Sequence, residues 1–217
     1  MNKLTEIANR HETDKGSVDH GGYINSCHNY TEFYYDYFQK LKESKEKIYI
    51  LEIGVLQGES LKMYNEFFEK NCEIYGIDIN LWQNKYKDDN VHLYQFNIND
   101  DVKLNDFFEE TKDIKFDFIL DDASHSFHDQ YRSLFSLYNK IKPNGKFILE
   151  DLHTWSWENE QDSPLRFLNF LVPNKYVNSD QIDEFRKHFI SSTIYVHYNE
   201  KANFGNKTSS TAMITFK

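Results

Sequence analysis

Five short apolar runs, at 47–53, 73–77, 91–96, 116–120 and 146–149, alternate with segments of helical length and period, and this alternation restricts the chain to few folds. Each run is rich in Ile, Val, Leu or Phe and is bounded by polar residues, the pattern of a strand buried on both faces. Between them, 60–70 sets Leu61, Tyr64, Phe67 and Phe68 on one stripe, 102–111 carries Leu104, Phe107 and Phe108, and 127–141 carries Tyr131, Leu134, Leu137, Tyr138 and Ile141. A strand followed by a covering helix and another strand returns the chain parallel to itself. The predicted fold is therefore Rossmann-like: a doubly wound α/β domain on a mostly parallel, seven-stranded sheet. Two later β-like runs, 190–198 and 211–216, pair as an antiparallel C-terminal edge. Pro143-Asn144-Gly145 reads as the turn that stops the third helix and starts the fifth strand.

The flanks are less regular. A polar loop at 13–29 and a Tyr-rich helix at 30–41 precede the first strand; after Asp151 come a loop with Trp155 and Trp157 and a helical stretch at 180–187. The expected organisation is an N-terminal lid and helical segment, 1–46, on a domain spanning 47–217, all in one globular unit. Thirty-five acidic against 25 basic residues give a formal charge of −10, the wrong sign for gripping a phosphate backbone or an anionic membrane. No apolar stretch approaches the roughly 18 residues of a spanning helix. Cys27 and Cys72 have no C-x-x-C spacing and read as ordinary buried thiols of a reducing compartment, so the expected location is the cytoplasm.

The first run continues as Glu52-Ile53-Gly54-Val55-Leu56-Gln57-Gly58 and then a helix. Glycines at 54 and 58 let the backbone turn sharply and approach a ligand. The middle glycine of G-x-G-x-x-G is missing, which disfavours a pyrophosphate and so a dinucleotide. Asp78 ends the second run, where a carboxylate can accept from both ribose hydroxyls, and Asn97 follows the third, where adenine contacts fall. Order and spacing together mark a class I domain that uses S-adenosyl-L-methionine (SAM). The plainer alternative is that the glycines only shape a turn, that Asp78 caps a helix and that Asn97 is an ordinary loop residue.

The fourth run ends Asp121-Asp122-Ala123-Ser124-His125 and the fifth Glu150-Asp151, so neighbouring parallel strands bring four acids to one carboxyl edge. Crowded carboxylates call for a cation, and an all-oxygen set favours a hard ion: Mg²⁺ first, then Ca²⁺ or Mn²⁺. Side chains alternate along a strand, so Asp121 and Asp122 point differently; Asp122, Glu150 and Asp151 are the candidate metal ligands and Asp121 is left towards SAM. His125 is the candidate base for removing a hydroxyl proton, with helix capping as its alternative. The plain alternative for the acids is likewise capping and solvation.

These motifs resemble those of the metal-dependent macrolide sugar O-methyltransferases of the mycinamicin and tylosin pathways, and of related cephalosporin hydroxylase-like domains. The likeness runs from Thr13 to Trp157: Thr13-Asp14-Lys15, then His28-Asn29-Tyr30 with Tyr34, the Glu52 to Gly58 loop, Asp121 to His125 as D-D-x-S-H, and Glu150-Asp151-Leu152. The resemblance implies the same metal set and base, and places Thr13 and Lys15 near SAM in a lid. It implies a SAM- and Mg²⁺-dependent O-methyltransferase acting on a hydroxyl of a sugar or glycosylated small molecule. A Lys-, Asn-, Ile- and Tyr-rich composition points to an AT-rich bacterium and so to capsule or surface polysaccharide. The alternatives are a catechol-like or nitrogen acceptor, or an inactive SAM-binding homologue. The acceptor wall is expected among 30–37, Trp155 and Trp157, and 200–210. A homo-oligomer follows only as the base rate for such enzymes.

Overall fold

A computed structural model describes residues 1–18, 27–152, 159–198 and 208–217. The strands are β1 (Ile48–Ile53), β2 (Cys72–Asp78), β3 (Val91–Gln95), β4 (Phe116–Asp121), β5 (Ile141–Leu149), β6 (Phe189–Tyr198) and β7 (Thr208–Phe216). They form one sheet in the order β3-β2-β1-β4-β5-β7-β6. The first five run parallel, and β7 lies antiparallel to both β5 and β6. The doubly wound sheet and its antiparallel C-terminal edge are as predicted, with β7 inserted and β6 outermost.

Alternation splits the sheet's side chains between two cores. On one face Ile48, Ile50, Ile74, Phe118 and Leu120 pack under α1 (Lys3–Arg10), α2 (Tyr30–Ser44) and α3 (Glu59–Phe67) through Leu4, Ile7, Tyr34, Phe38, Leu61, Tyr64 and Phe67. On the other, Leu51, Ile53, Ile77, Ile119 and Phe147 meet α4 (Asp101–Glu110), α5 (Phe127–Leu137), α6 (Pro164–Phe170) and α7 (Ser179–His188) through Leu104, Phe107, Tyr131, Leu134, Phe167 and Phe185. Cys72 is buried, whereas Cys27 is only half-buried.

Three local features depart from expectation. The Pro-Asn-Gly turn lies inside β5: Phe116 pairs with Ile141 and Phe118 with Lys146, so 142–145 bulge out opposite Asp117. The helix before it ends at Leu137 and a 3-10 turn, Tyr138–Lys140, completes the approach. Helices α1 and α6 have no counterpart in the reading above. The first is capped by Asn2, which accepts from the Thr5 N–H, and the second by Ser163, with Pro164 in its first turn.

Register creates the site. Ile53 pairs with both Ile77 and Asp121, and Asp121 with Leu149, so the strands end at one level. Beyond it the ladder continues: the Gly54 N–H donates to Ile77, that of Asp122 to Ile53 and that of Glu150 to Asp121. Strand order reverses between β1 and β4, the switch point where a crevice opens in such sheets.

Candidate active site at the carboxyl edge of the sheet

A cavity of about 810 Å³ opens above these strand ends. One end is the loop from β1 to α3. Gly54 and Gly58 both have φ of 88°, and Leu56 between them also has a positive φ, 46°. A Cβ on Gly54 would stand 2.2 Å from the Asp122 carbonyl oxygen, so this position admits only glycine. Asp78 Oδ2 accepts from the Val55 and Leu56 N–H groups at 2.8 and 3.0 Å, bracing the loop while the residue still lines the cavity. Phe96, Asn97 and Ile98 line the same end.

The other end is acidic. Asp122, His125 and Asp151 bring potential ligand atoms within 4.8 Å of one another. His125 Nε2 is 3.0 Å from Asp122 Oδ1 and Nδ1 is 3.5 Å from Asp151 Oδ2. Both His125 (φ 59°), in the turn between β4 and α5, and Asp151 (φ 53°), just past β5, have the left-handed backbone that L-residues rarely adopt. Burial acts to lower the His125 pKa, but the hydrogen bond and charge of Asp122, with Asp151, push it up to about 9. Against burial, Lys15 and His125 hold Asp122 well below the usual carboxylate range.

Lys15 is the internal counter-ion. Its ammonium, 2 % exposed, donates to Asp122 and, at 2.9 Å, to Glu150 Oε2, and lies 3.8 Å from Glu52 Oε1. Burial opposes its charge, yet Asp122, Glu150 and Glu52 hold its pKa well above that of an ordinary lysine. Glu52 accepts from the Ser60 hydroxyl at 2.6 Å, and burial pushes it up to about 7. Asp121 faces the opposite way, as alternation requires; it accepts from Ser133 and the Ala123 N–H, and burial pushes it up to about 6.

The structure thus gathers Thr13, Lys15, Gly54, Asp78, Asn97, Asp121, Asp122, His125 and Asp151 around one cavity. Glu52, Gly58 and Glu150 sit behind its wall. Gly58 caps α3, and a Cβ there would meet Tyr86 and Asn84; Glu52 and Glu150 reach the cluster through Lys15. The tyrosines of α2 depart from the expected acceptor wall. Tyr30 and Tyr34 are fully buried and donate to Asp151 Oδ1 at 2.5 Å and Glu150 Oε1 at 2.8 Å, while Tyr37 donates to the Asp117 carbonyl oxygen at 2.7 Å. Burial and the adjacent carboxylates push both buried phenols up, so they remain donors. Their spacing with Phe38, i, i+4, i+8, is the signal that could have shown an inward stripe. Trp155, Trp157 and most of 200–210 lie outside the described residues.

A methyltransferase domain family matches residues 27–206. The chain belongs to that family. The methyltransferase is 27 % identical over 161 residues to an 8-demethyl-8-alpha-L-rhamnosyl tetracenomycin-C 2'-O-methyltransferase of Streptomyces olivaceus, a match covering 71 % of this chain and 39 % of that protein. It is also 27 % identical over 161 residues to the mycinamicin VI 2''-O-methyltransferase of Micromonospora griseorubida, over 71 % of this chain and 37 % of the other. The chain therefore spans about two fifths of the length of these relatives. In architecture the methyltransferase is similar to MycE of the mycinamycin biosynthetic pathway, solved with Mg, SAH and mycinamycin VI: TM-score 0.68, 21 % identity, 98 % of this chain and 53 % of that one.

The methyltransferase's residues fit both groups expected from its sequence. A glycine loop that tolerates no Cβ, beside a carboxylate at the next strand end, suits a nucleoside. Ligand atoms of Asp122 and Asp151 converge with the His125 imidazole within 4.8 Å; the two carboxylates suit a hard divalent cation, with His125 beside it. Among the described residues no helix is long and apolar enough to cross a membrane.

Proposed function

We propose that this chain is a SAM- and Mg²⁺-dependent O-methyltransferase whose acceptor is a hydroxyl of a sugar or glycosylated small molecule. The observation that carries the reading is that one cavity joins the glycine loop, Asp78 and Asn97 at one end to Asp122, His125 and Asp151 at the other. Such a cavity holds a nucleoside donor at the first end and a hydroxyl acceptor at the second. The relatives' names support a sugar acceptor, since they describe methylation of rhamnosyl and mycinamicin substrates.

In this reading the methyl group passes from the sulfonium to the acceptor oxygen, the electron pair of the broken S–C bond stays on sulfur, and the hydroxyl proton goes to His125. Gly54 and the Val55–Leu56 amides, held by Asp78, position the donor. Asp122 and Asp151 keep His125 protonated at neutral pH. A further counter-charge on those carboxylates releases the imidazole to accept a proton. A divalent cation held by these carboxylates would supply that charge and lower the pKa of the acceptor hydroxyl. Asp122, Asp151 and, beside them, Glu150 are the residues to hold it, and Lys15 already neutralises part of the cluster.

We extend the reading to a cytoplasmic enzyme of bacterial surface-polysaccharide assembly, supported by the composition. The test is calorimetric titration of SAM with and without Mg²⁺, then mass spectrometry of methylated products from nucleotide sugars, free glycosides and catechols, each with a chelator control. Binding of both and chelator-sensitive transfer to a sugar support the proposal. Transfer only to catechol, or transfer indifferent to chelator, overturns the acceptor or the metal; no SAM binding overturns the whole reading.

A further inference from the structure

Adjacent residues at the end of a strand point in different directions, so Glu150 and Asp151 need separate partners if both carboxylates are to hold fixed orientations. Helix α2 provides them. Tyr30 and Tyr34 are one turn apart, both fully buried, and each donates to one acid of the pair: Tyr30 to Asp151 Oδ1 at 2.5 Å and Tyr34 to Glu150 Oε1 at 2.8 Å. The rings are themselves fixed. His28 stacks on Tyr30 with centroids 5.0 Å apart and planes at 13°, Tyr34 packs against Phe38, and Tyr34 Oη also lies 3.0 Å from Thr211 Oγ1.

These bonds take one oxygen of each carboxylate and thereby aim the other. With Oδ1 of Asp151 on Tyr30, Oδ2 lies 3.5 Å from His125 Nδ1, on the side of Asp122. With Oε1 of Glu150 on Tyr34, Oε2 lies 2.9 Å from Lys15 Nζ, which also binds Asp122. We propose that Tyr30 and Tyr34 are positioning residues of a divalent-cation site: Tyr30 presets the Asp151 carboxylate, and Tyr34 holds Glu150 on Lys15, which in turn fixes Asp122. The inference rests on the cation site of the proposed function and adds the source of its preorganisation: a helix that precedes the sheet in sequence and touches the acids from behind. Outer partners of this kind contribute about 10- to 100-fold to metal affinity.

The experiment uses Mn²⁺ as the probe, with its binding to the full chain followed by electron paramagnetic resonance. Tyr30→Phe and Tyr34→Phe keep the rings and remove only the hydroxyls. Each is expected to weaken Mn²⁺ binding about 10-fold or more, with SAM affinity by calorimetry and the folded baseline by circular dichroism both retained. Wild-type Mn²⁺ affinity in either variant overturns the assignment for that tyrosine and leaves the proposed function standing; no Mn²⁺ binding by the wild-type chain overturns both. Should a Phe variant fail to fold, wild-type chain labelled with ¹³C at tyrosine Cζ supplies a second readout. Mg²⁺ is expected to shift two buried tyrosine resonances, and unmoved resonances overturn the inference.

Discussion

His125 is held between two carboxylates on a strained backbone, and its replacement separates chemistry from binding. His125→Ala is expected to lower kcat by about 10² to 10⁴ while leaving the SAM dissociation constant within a factor of two, read by parallel rate and calorimetric measurements. Glu52 makes a prediction in pH. It is an acid raised from an ordinary 4.5 to about 7 by burial, so between those values the native state holds a proton that the unfolded chain has lost, and stability falls as pH rises through that window. Glu52→Gln removes the titration. Its stability relative to wild type is expected to rise by up to about 3 kcal/mol from about pH 5 to about pH 8, measured by urea unfolding across the range. The sequence marks the candidate residues here because they sit in motifs at strand ends. It does not show that Lys15 lies among the acids, since that contact joins positions more than a hundred residues apart.

At the scale of elements, α2 decides whether the acids are framed at all. Its inward stripe, Tyr30, Tyr34 and Phe38, is anchored where the Phe38 ring stacks on Phe118 of β4 at 4.5 Å and 21°. Phe38→Ala is expected to cost about 3 to 5 kcal/mol of stability and to weaken Mn²⁺ binding with it, checked by denaturant midpoint and metal titration on the same sample. The helices and strands with continuous apolar periodicity were legible because burial of one stripe or two faces imposes that pattern. Helix α1 was not, although Leu4, Ile7 and Ala8 form a spaced stripe, because charged neighbours dominate so short a segment. Helix α6 is announced only by the Ser163-Pro164 start. The Pro-Asn-Gly turn reads in sequence as the start of the fifth strand and not as part of it, because a bulge and a terminating turn use the same residues.

For the whole molecule, the donor end of the cavity and the acid cluster are both fastened to the ends of β1, β2, β4 and β5, so a ligand bridging them ties the sheet to the 12–15 segment. SAM at about 100 times its dissociation constant is expected to add about 2.7 kcal/mol of stability, and with Mg²⁺ more, read as an upward shift of the melting temperature. A charge of −10 gives the cation an additional electrostatic attraction that should weaken as salt is raised. The placement of β7 between β5 and β6 has a further consequence, for synthesis. A ribosome delivers β6 before β7, so a nascent chain that has reached residue 198 cannot yet fill the slot beside β5, whose edge N–H and C=O groups have no β7 to pair with. The sheet therefore closes beside β5 only when β7, the last strand made, has been delivered.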